Sequence, residues 1–268
     1  MANIALQSAA TGLSALNTKL DVIANNLANV NTNGFKSSRA NFQDLLYIER
    51  AQPGVENTNG DKRPMGLYVG LGVKVSGTQL DFASGTFINT GRPLDISIEG
   101  DGFLKVKVQD SLGGGIAYTR AGNLALNKDG ELVLATDQGR RIDPPITIKD
   151  AVGPPTIGPD GKVFVTKVGS TTPEEVGQIQ LTVFVNPAGL KQVGENLYVE
   201  TAASGEPIEG NPGEDTRGQL RQGGVEGSNV DPTNELIEMI RTQRAFEMNS
   251  NSIKAADDTL RAIAQLRR

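Results

Sequence analysis

The sequence predicts a mainly β central domain with one α-helix at each end of the chain. Three observations carry this: heptad lanes of apolar residues confined to the termini, short alternating runs between turn dipeptides in the middle, and a composition poor in large core anchors. The 268 residues include 32 Gly and 13 Pro, only 4% aromatic residues and no Trp. Many turns are therefore expected, with few bulky side chains to fill a dense core.

Residues 1–33 read as the first helix. Leu6, Leu13, Leu20 and Leu27 recur every seven residues, and Ala9, Leu16, Ile23 and Val30 follow three residues after each Leu. Two lanes offset by three form an a/d seam, the signature of a coiled-coil helix. The remaining positions are Ala, Asn, Ser and Thr with few charges, which suits close packing among neighbours better than a water-facing surface. An end is expected near Asn31 to Gly34, where Asn and Gly favour left-handed caps, and Asn at position 34 should be tolerated better than Val.

Residues 34–80 read as a connecting segment with an extended loop, marked by Pro53-Gly54, Asn59-Gly60 and Pro64. Residues 81–227 read as the β-rich domain. Strands are expected over 95–99, 103–108, 123–127, 131–134 and 180–185, with hairpin turns at Asp129-Gly130 and Asp160-Gly161 and a hairpin connection at Gly113-Gly114-Gly115. Residues 201–228 read as a loop leading to the last element, 228–268. There Asp231 is the N-cap and Pro232 the first helical residue. Met239, Phe246, Ile253 and Leu260 run at heptad spacing, with Leu236, Ile237 and Ile240 widening the apolar face. The companion lane, Thr242, Asn249, Ala256 and Ile263, is polar in its first half, which weakens any pairing of the two terminal helices within one subunit. Both ends are accordingly expected to be largely disordered until neighbouring copies cover them.

The absences bound the chemistry. With no His, the usual general acid–base side chain near pH 7 is missing, and a serine triad is ruled out. With no Cys there is no disulfide, thiolate zinc site or cysteine nucleophile. Gly70-Leu71-Gly72 has Val75 where a dinucleotide loop needs its third glycine, and Val163 follows Gly161-Lys162 where a phosphate loop needs Ser or Thr. The net charge of −5 leaves no basic stripe for phosphates, so nucleic acid is not an expected partner. Residues 1–18 lack the basic and apolar regions of a signal peptide and are not a membrane span.

Asn25-Asn26-Leu27-Ala28-Asn29-Val30-Asn31-Thr32-Asn33-Gly34-Phe35-Lys36, followed by Arg39, resembles the N-terminal signature of the flagellar rod and hook family of axial proteins. Ile98-Glu-Gly-Asp-Gly-Phe103 and Tyr118-Thr-Arg-Ala-Gly-Asn123 resemble its central β-domain motifs. Gly227-Ser-Asn-Val230 and Gln243-Arg244-Ala-Phe-Glu-Met-Asn249 resemble its C-terminal signature, so the likeness spans the chain. Phe42-Gln-Asp-Leu-Leu-Tyr47 and Phe184-Val-Asn-Pro-Ala-Gly-Leu190 are similar to the distal rod branch; Leu104 and Phe246 replace the Phe and Tyr of many relatives.

The resemblance implies a structural subunit of a hollow drive shaft. Its terminal helices would form a coiled-coil-like inner tube on assembly around an export channel, with the β domain outside. The implied partners are further copies in a helical tubular homo-oligomer, proximal rod and hook-side axial proteins, a ring bushing around the rod and the type III export apparatus. Export without a cleaved signal peptide and a rod crossing the periplasm are also implied; a cofactor or small-molecule substrate is not. The expected self-assembly residues are Leu6, Leu13, Leu16, Leu20, Ile23, Leu27, Val30, Met239, Ile240, Phe246, Ile253, Leu260 and Ile263, and the signature residues are Asn25, Asn26, Asn29, Gly34, Phe35, Lys36, Gln243 and Arg244. Two rival classes are a cell-wall glycosidase, which needs two converging carboxylates, and a soluble binding module whose end helices cap its own core.

Overall fold

The structure, a computed structural model, describes residues 2–56, 62–149, 153–167 and 172–266. As the sequence predicts, a helix opens the chain, a helix closes it and the centre is mostly β. Two compact units result: a helix unit containing both chain ends and residues 38–79, and a β unit containing residues 29–37 and 80–230.

In the helix unit, α1 (Ala2–Ala28) contains no Pro and only two charged residues, Lys19 and Asp21. It stops a few residues before the expected Asn31–Gly34. The chain turns at once, with Thr32 N–H bonding the Asn29 carbonyl (3.1 Å) and Phe35 N–H the Thr32 carbonyl (3.2 Å). α2 (Pro232–Leu266) begins as expected: Asp231 Oδ1 accepts from the backbone N–H of Thr233 (2.9 Å) and Asn234 (3.3 Å).

The two helices pair antiparallel, contrary to the expectation of unpaired ends. Asn26 Nδ2 donates to Glu235 Oε1 (3.0 Å), Lys19 Nζ meets Glu238 Oε2 (2.8 Å), and Asn249 Nδ2 donates to the Ala9 carbonyl (3.1 Å). Going up α1 therefore means going down α2. The lane of α2 that faces α1 is the polar one, Glu235, Thr242 and Asn249, with Thr242 buried. The cause is small size across the contact. Gly12 has no side chain where a Cβ would sit 2.5 Å from Asn249 Nδ2, so the amide reaches the α1 backbone.

The segment 34–80, expected as a connection, contains four strands: β1 (Ser38–Asp44), β2 (Tyr47–Ala51), β3 (Leu67–Gly70) and β4 (Val73–Leu80). β1 pairs with β4 and β2 with β3, giving two ribbons. Thr11 Oγ1 accepts from Val73 N–H (3.3 Å) and Ser8 Oγ donates to the Gly70 carbonyl (3.3 Å), which seats the start of β4 on α1. Asn59-Gly60 lies outside the described residues.

The β unit continues with β5 (Phe87–Asn89), β6 (Ile96–Glu99), β7 (Phe103–Lys107), β8 (Ile116–Thr119), β9 (Leu124–Leu126), β10 (Leu132–Leu134), β11 (Thr156–Ile157), β12 (Lys162–Val165), β13 (Glu174–Gln178) and β14 (Leu181–Val183). It closes with β15 (Lys191–Gly194), β16 (Leu197–Val199), β17 (Ile208–Gly210), β18 (Gln219–Gln222) and β19 (Gly224–Glu226). A six-stranded antiparallel sheet has the order β15-β16-β8-β7-β14-β17. The hairpins expected at Asp129-Gly130 and Asp160-Gly161 are present as β9–β10 and β11–β12, and the three glycines 113–115 join β7 to β8. Residues 201–228, expected as a loop, instead supply β17, β18 and β19, and the last two pair with β6 and β5. Ile96, Leu104, Val106, Leu132, Val163 and Leu181 lie in the aliphatic core, and Phe82, Phe103, Tyr118, Phe184 and Tyr198 form a second, edge-to-face aromatic cluster.

Candidate functional site

Three of the signature motifs meet inside the β unit on one buried ionic cluster. Lys36, Glu226 and Arg120 are 0%, 2% and 2% exposed. Glu226 Oε1 accepts from Lys36 Nζ (2.7 Å) and from Gly85 N–H (2.9 Å), while Oε2 accepts from Arg120 Nε (2.8 Å). The guanidinium also donates to the carbonyls of Gly102 (3.0 Å), Gly100 (3.0 Å) and Ile98 (3.3 Å), and Lys36 to that of Ala83 (2.7 Å). Buried charges persist when each is paired and hydrogen-bonded, and here every charged nitrogen and oxygen of the cluster has at least one partner. Two cations share one anion. Burial and the Arg120 charge push the Lys36 ammonium below its ordinary 10.5, against the pull of Glu226. Burial would raise the Glu226 carboxyl, but Arg120 and Lys36 together hold it below 4.5.

The backbone around this cluster is equally fixed. Gly34 has φ +71°, and its N–H donates to the Glu226 carbonyl (2.8 Å). Asn229 Oδ1 accepts from Ser37 N–H (2.7 Å), and its Nδ2 donates to the Asp81 carbonyl (2.8 Å). The three passes of chain that enter and leave the β unit, at residues 34–37, 81–85 and 226–229, are thus stitched together. Lys36 and Gly34 belong to the expected signature. Arg120 lies in a quoted motif without an assigned role, and Glu226 directly precedes another; an acidic residue before Gly227-Ser-Asn was the available signal.

The other expected residues lie mainly on the helix unit. Asn26 is buried and acts twice on β1: Nδ2 donates to the Ser38 carbonyl (2.8 Å), and Oδ1 accepts from Ser38 N–H (3.0 Å). Asn26→Ala is expected to cost about 1–3 kcal/mol by leaving these backbone groups unpaired. Faster hydrogen exchange along β1 and α2, with the β unit unchanged, would verify it. Of the seam residues Ile23 is buried, whereas Leu6, Leu13, Leu16, Leu20, Leu27, Val30, Met239, Phe246, Ile253 and Leu260 are half-buried and Ile240 is exposed. The Ile263 side chain lies outside the described residues. Asn29 and Phe35 are half-buried; Asn25, Gln243 and Arg244 are exposed. The Lys19 ammonium and the Arg241 guanidinium hold the Glu238 carboxyl below its ordinary value.

Missed by the sequence reading is the apolar surface of the β2–β3 ribbon. Leu46 is 82% exposed and Met65 76%, with Tyr47, Leu67 and Tyr68 also open. Among the described residues no helix is long and apolar enough to cross a membrane, and no group of three or more Asp or Glu could hold a metal.

Three family profiles match the chain: flagella basal body rod protein over residues 6–36, flagellar hook protein FlgE/F/G D1 domain over 97–165, and flagellar basal body rod FlgEFG protein C-terminal over 221–266. The chain is 46% identical to the flagellar basal-body rod protein FlgG of Buchnera aphidicola subsp. Schizaphis graminum, with 96% of each chain covered. It is 44% identical to FlgG of Caulobacter vibrioides over 98% of this chain and 99% of the relative, and 37% identical to FlgG of Bacillus subtilis over 98% of both.

Proposed function

The chain belongs to the flagellar basal-body rod protein FlgG family, a structural subunit of the rod, and from that premise we propose that it self-assembles into the hollow distal segment of the shaft. It acts by transmitting torque and by enclosing an export channel, not by catalysis, and needs no cofactor, nucleic acid or small-molecule substrate. Its neighbours are further copies, proximal rod and hook-side axial proteins, a surrounding ring bushing and the type III export apparatus. Its place is the basal-body rod where it crosses the periplasm. The contact residues on α1 and α2 are the half-buried and exposed seam positions, Leu6, Leu13, Leu16, Leu20, Leu27, Met239, Ile240, Phe246, Ile253 and Leu260.

One observation carries this reading: the helix unit leaves large apolar side chains open to water on both the β2–β3 ribbon and α2. Contiguous exposed apolar surface marks a face that another molecule covers, and a two-stranded ribbon is marginal without such cover.

Concentrated wild-type protein is expected to form tubes by electron microscopy and to enlarge with concentration in sizing. Leu20→Asp should abolish both, because a charge would replace apolar burial of about 1.5–3 kcal/mol, while the melting transition of the β unit persists. A wild-type chain that stays monomeric at every concentration would overturn the proposal.

A further inference from the structure

Among the described residues, two faces of the helix unit are exposed. On α2, Ile237, Ile240, Arg244 and Met248 follow one another at helical spacing, and all four are exposed. They lie on the side away from Glu235, Thr242 and Asn249, the lane that meets α1. On α1, Ala10, Ser14, Asn17, Asp21, Ala24 and Ala28 are exposed and lie away from Gly12, Lys19 and Asn26. One face is bulky, the other small.

The charges are complementary as well. Asp21 is the only acidic residue of α1, and Arg244 stands inside the apolar stripe of α2. Among the described residues neither takes part in a hydrogen bond or ion pair, whereas Arg241, the adjacent cation, is taken by Glu238 (3.0 Å).

Building on the rod-subunit reading, we propose that the exposed face of α2 in one copy packs on the small-residue face of α1 in a second copy, with Arg244 against Asp21. Small residues let a helix carrying Ile and Met approach closely, and the contact removes apolar surface from water. An antiparallel contact in this register sets Ile237 opposite Ala28 and Met248 opposite Asn17. Because the two faces differ, the joint is heterologous. The joined pair keeps one free face of each kind, α1 on one copy and α2 on the other, so addition continues until a ring closes or a helical rod extends. The α1–α2 pair inside each subunit then alternates with the α2–α1 contact between subunits.

Charge reversal in the full-length protein tests it. Arg244→Asp and Asp21→Arg should each raise the concentration needed for polymerisation by about tenfold or more, and the double variant should recover most of that loss. The chain has no Cys, so introduced thiols are unique. A mixture of Asp21→Cys and Arg244→Cys proteins, oxidised under assembly conditions, should give a covalent heterodimer. Single reversals that polymerise like wild type, a double variant without recovery, or only homodimers on oxidation would overturn this surface while leaving the rod-subunit reading in place. Wild-type protein that never polymerises would overturn both.

Discussion

Glu226→Gln is expected to destabilise the β unit by about 3–5 kcal/mol, because it leaves the buried cations Lys36 and Arg120 without their anion. Lys36→Met should cost far less, at most about 1.5 kcal/mol. It leaves a one-to-one Glu226–Arg120 pair, and Ala83 O keeps the Asn229 Nδ2 donor at 3.3 Å. Urea unfolding of the three proteins reads the order directly; equal losses for the two variants would refute the shared-anion account. The pH dependence follows from the same cluster. Glu226 is held below 4.5 in the folded state, so its contribution is complete above that pH and is lost as pH falls through the lowered folded value. Lys36 is held below 10.5, so between its folded value and 10.5 the unfolded chain binds more protons and stability rises with pH. Melting curves should therefore show the stability difference between wild type and Glu226→Gln shrinking below pH 4.5.

Gly34 should tolerate no side chain at all. At φ +71° an added Cβ would sit 2.7 Å from Ala121 N and 2.9 Å from the Arg120 carbonyl carbon. Both atoms are backbone, and Arg120 is held by the ionic cluster, so neither yields. Left-handed strain of about 1–2 kcal/mol adds to overpacking of about 1–3 kcal/mol, giving a loss of roughly 2–5 kcal/mol for Gly34→Ala, Gly34→Asn and Gly34→Val alike. This revises the ranking expected from sequence, in which Asn fares better than Val. A Gly34→Asn protein as stable as wild type would mean the turn relaxes away from Ala121.

The seven-residue lanes made both helices legible, and Asp231-Pro232 fixed where α2 begins. Which lane faces which neighbour was not legible. A seam rule ranks lanes by hydrophobicity, and here the α1-facing lane of α2 is polar because Ala9 and Gly12 admit an amide. The strands of the central domain announced themselves where they alternate or follow Asp-Gly. Ser38–Asp44 and Val73–Leu80 did not, since they are rich in polar residues and pair with each other, and Ser38–Asp44 also leans on α1, partners invisible to any local window. The ionic cluster shows the same limit. Gly34, Lys36 and Arg120 stood inside recognised motifs, yet Lys36 and Glu226 are 190 residues apart, and only the fold brings their charges together.

That separation has a kinetic consequence. The ionic cluster closes across 190 residues, and the helix pair closes across 219 at Lys19–Glu238 and 240 at Ala9–Asn249. Contacts so distant in sequence form late, since the search for them comes after local hairpins such as β9–β10 and β11–β12 have closed. Any chain that emerges N-terminus first holds α1 without its partner until nearly the whole sequence is free. Over that interval the Leu seam is open to other molecules, and self-association competes with intramolecular pairing. The order of emergence thus gives a second copy the first opportunity to meet α1, before the subunit's own α2 arrives.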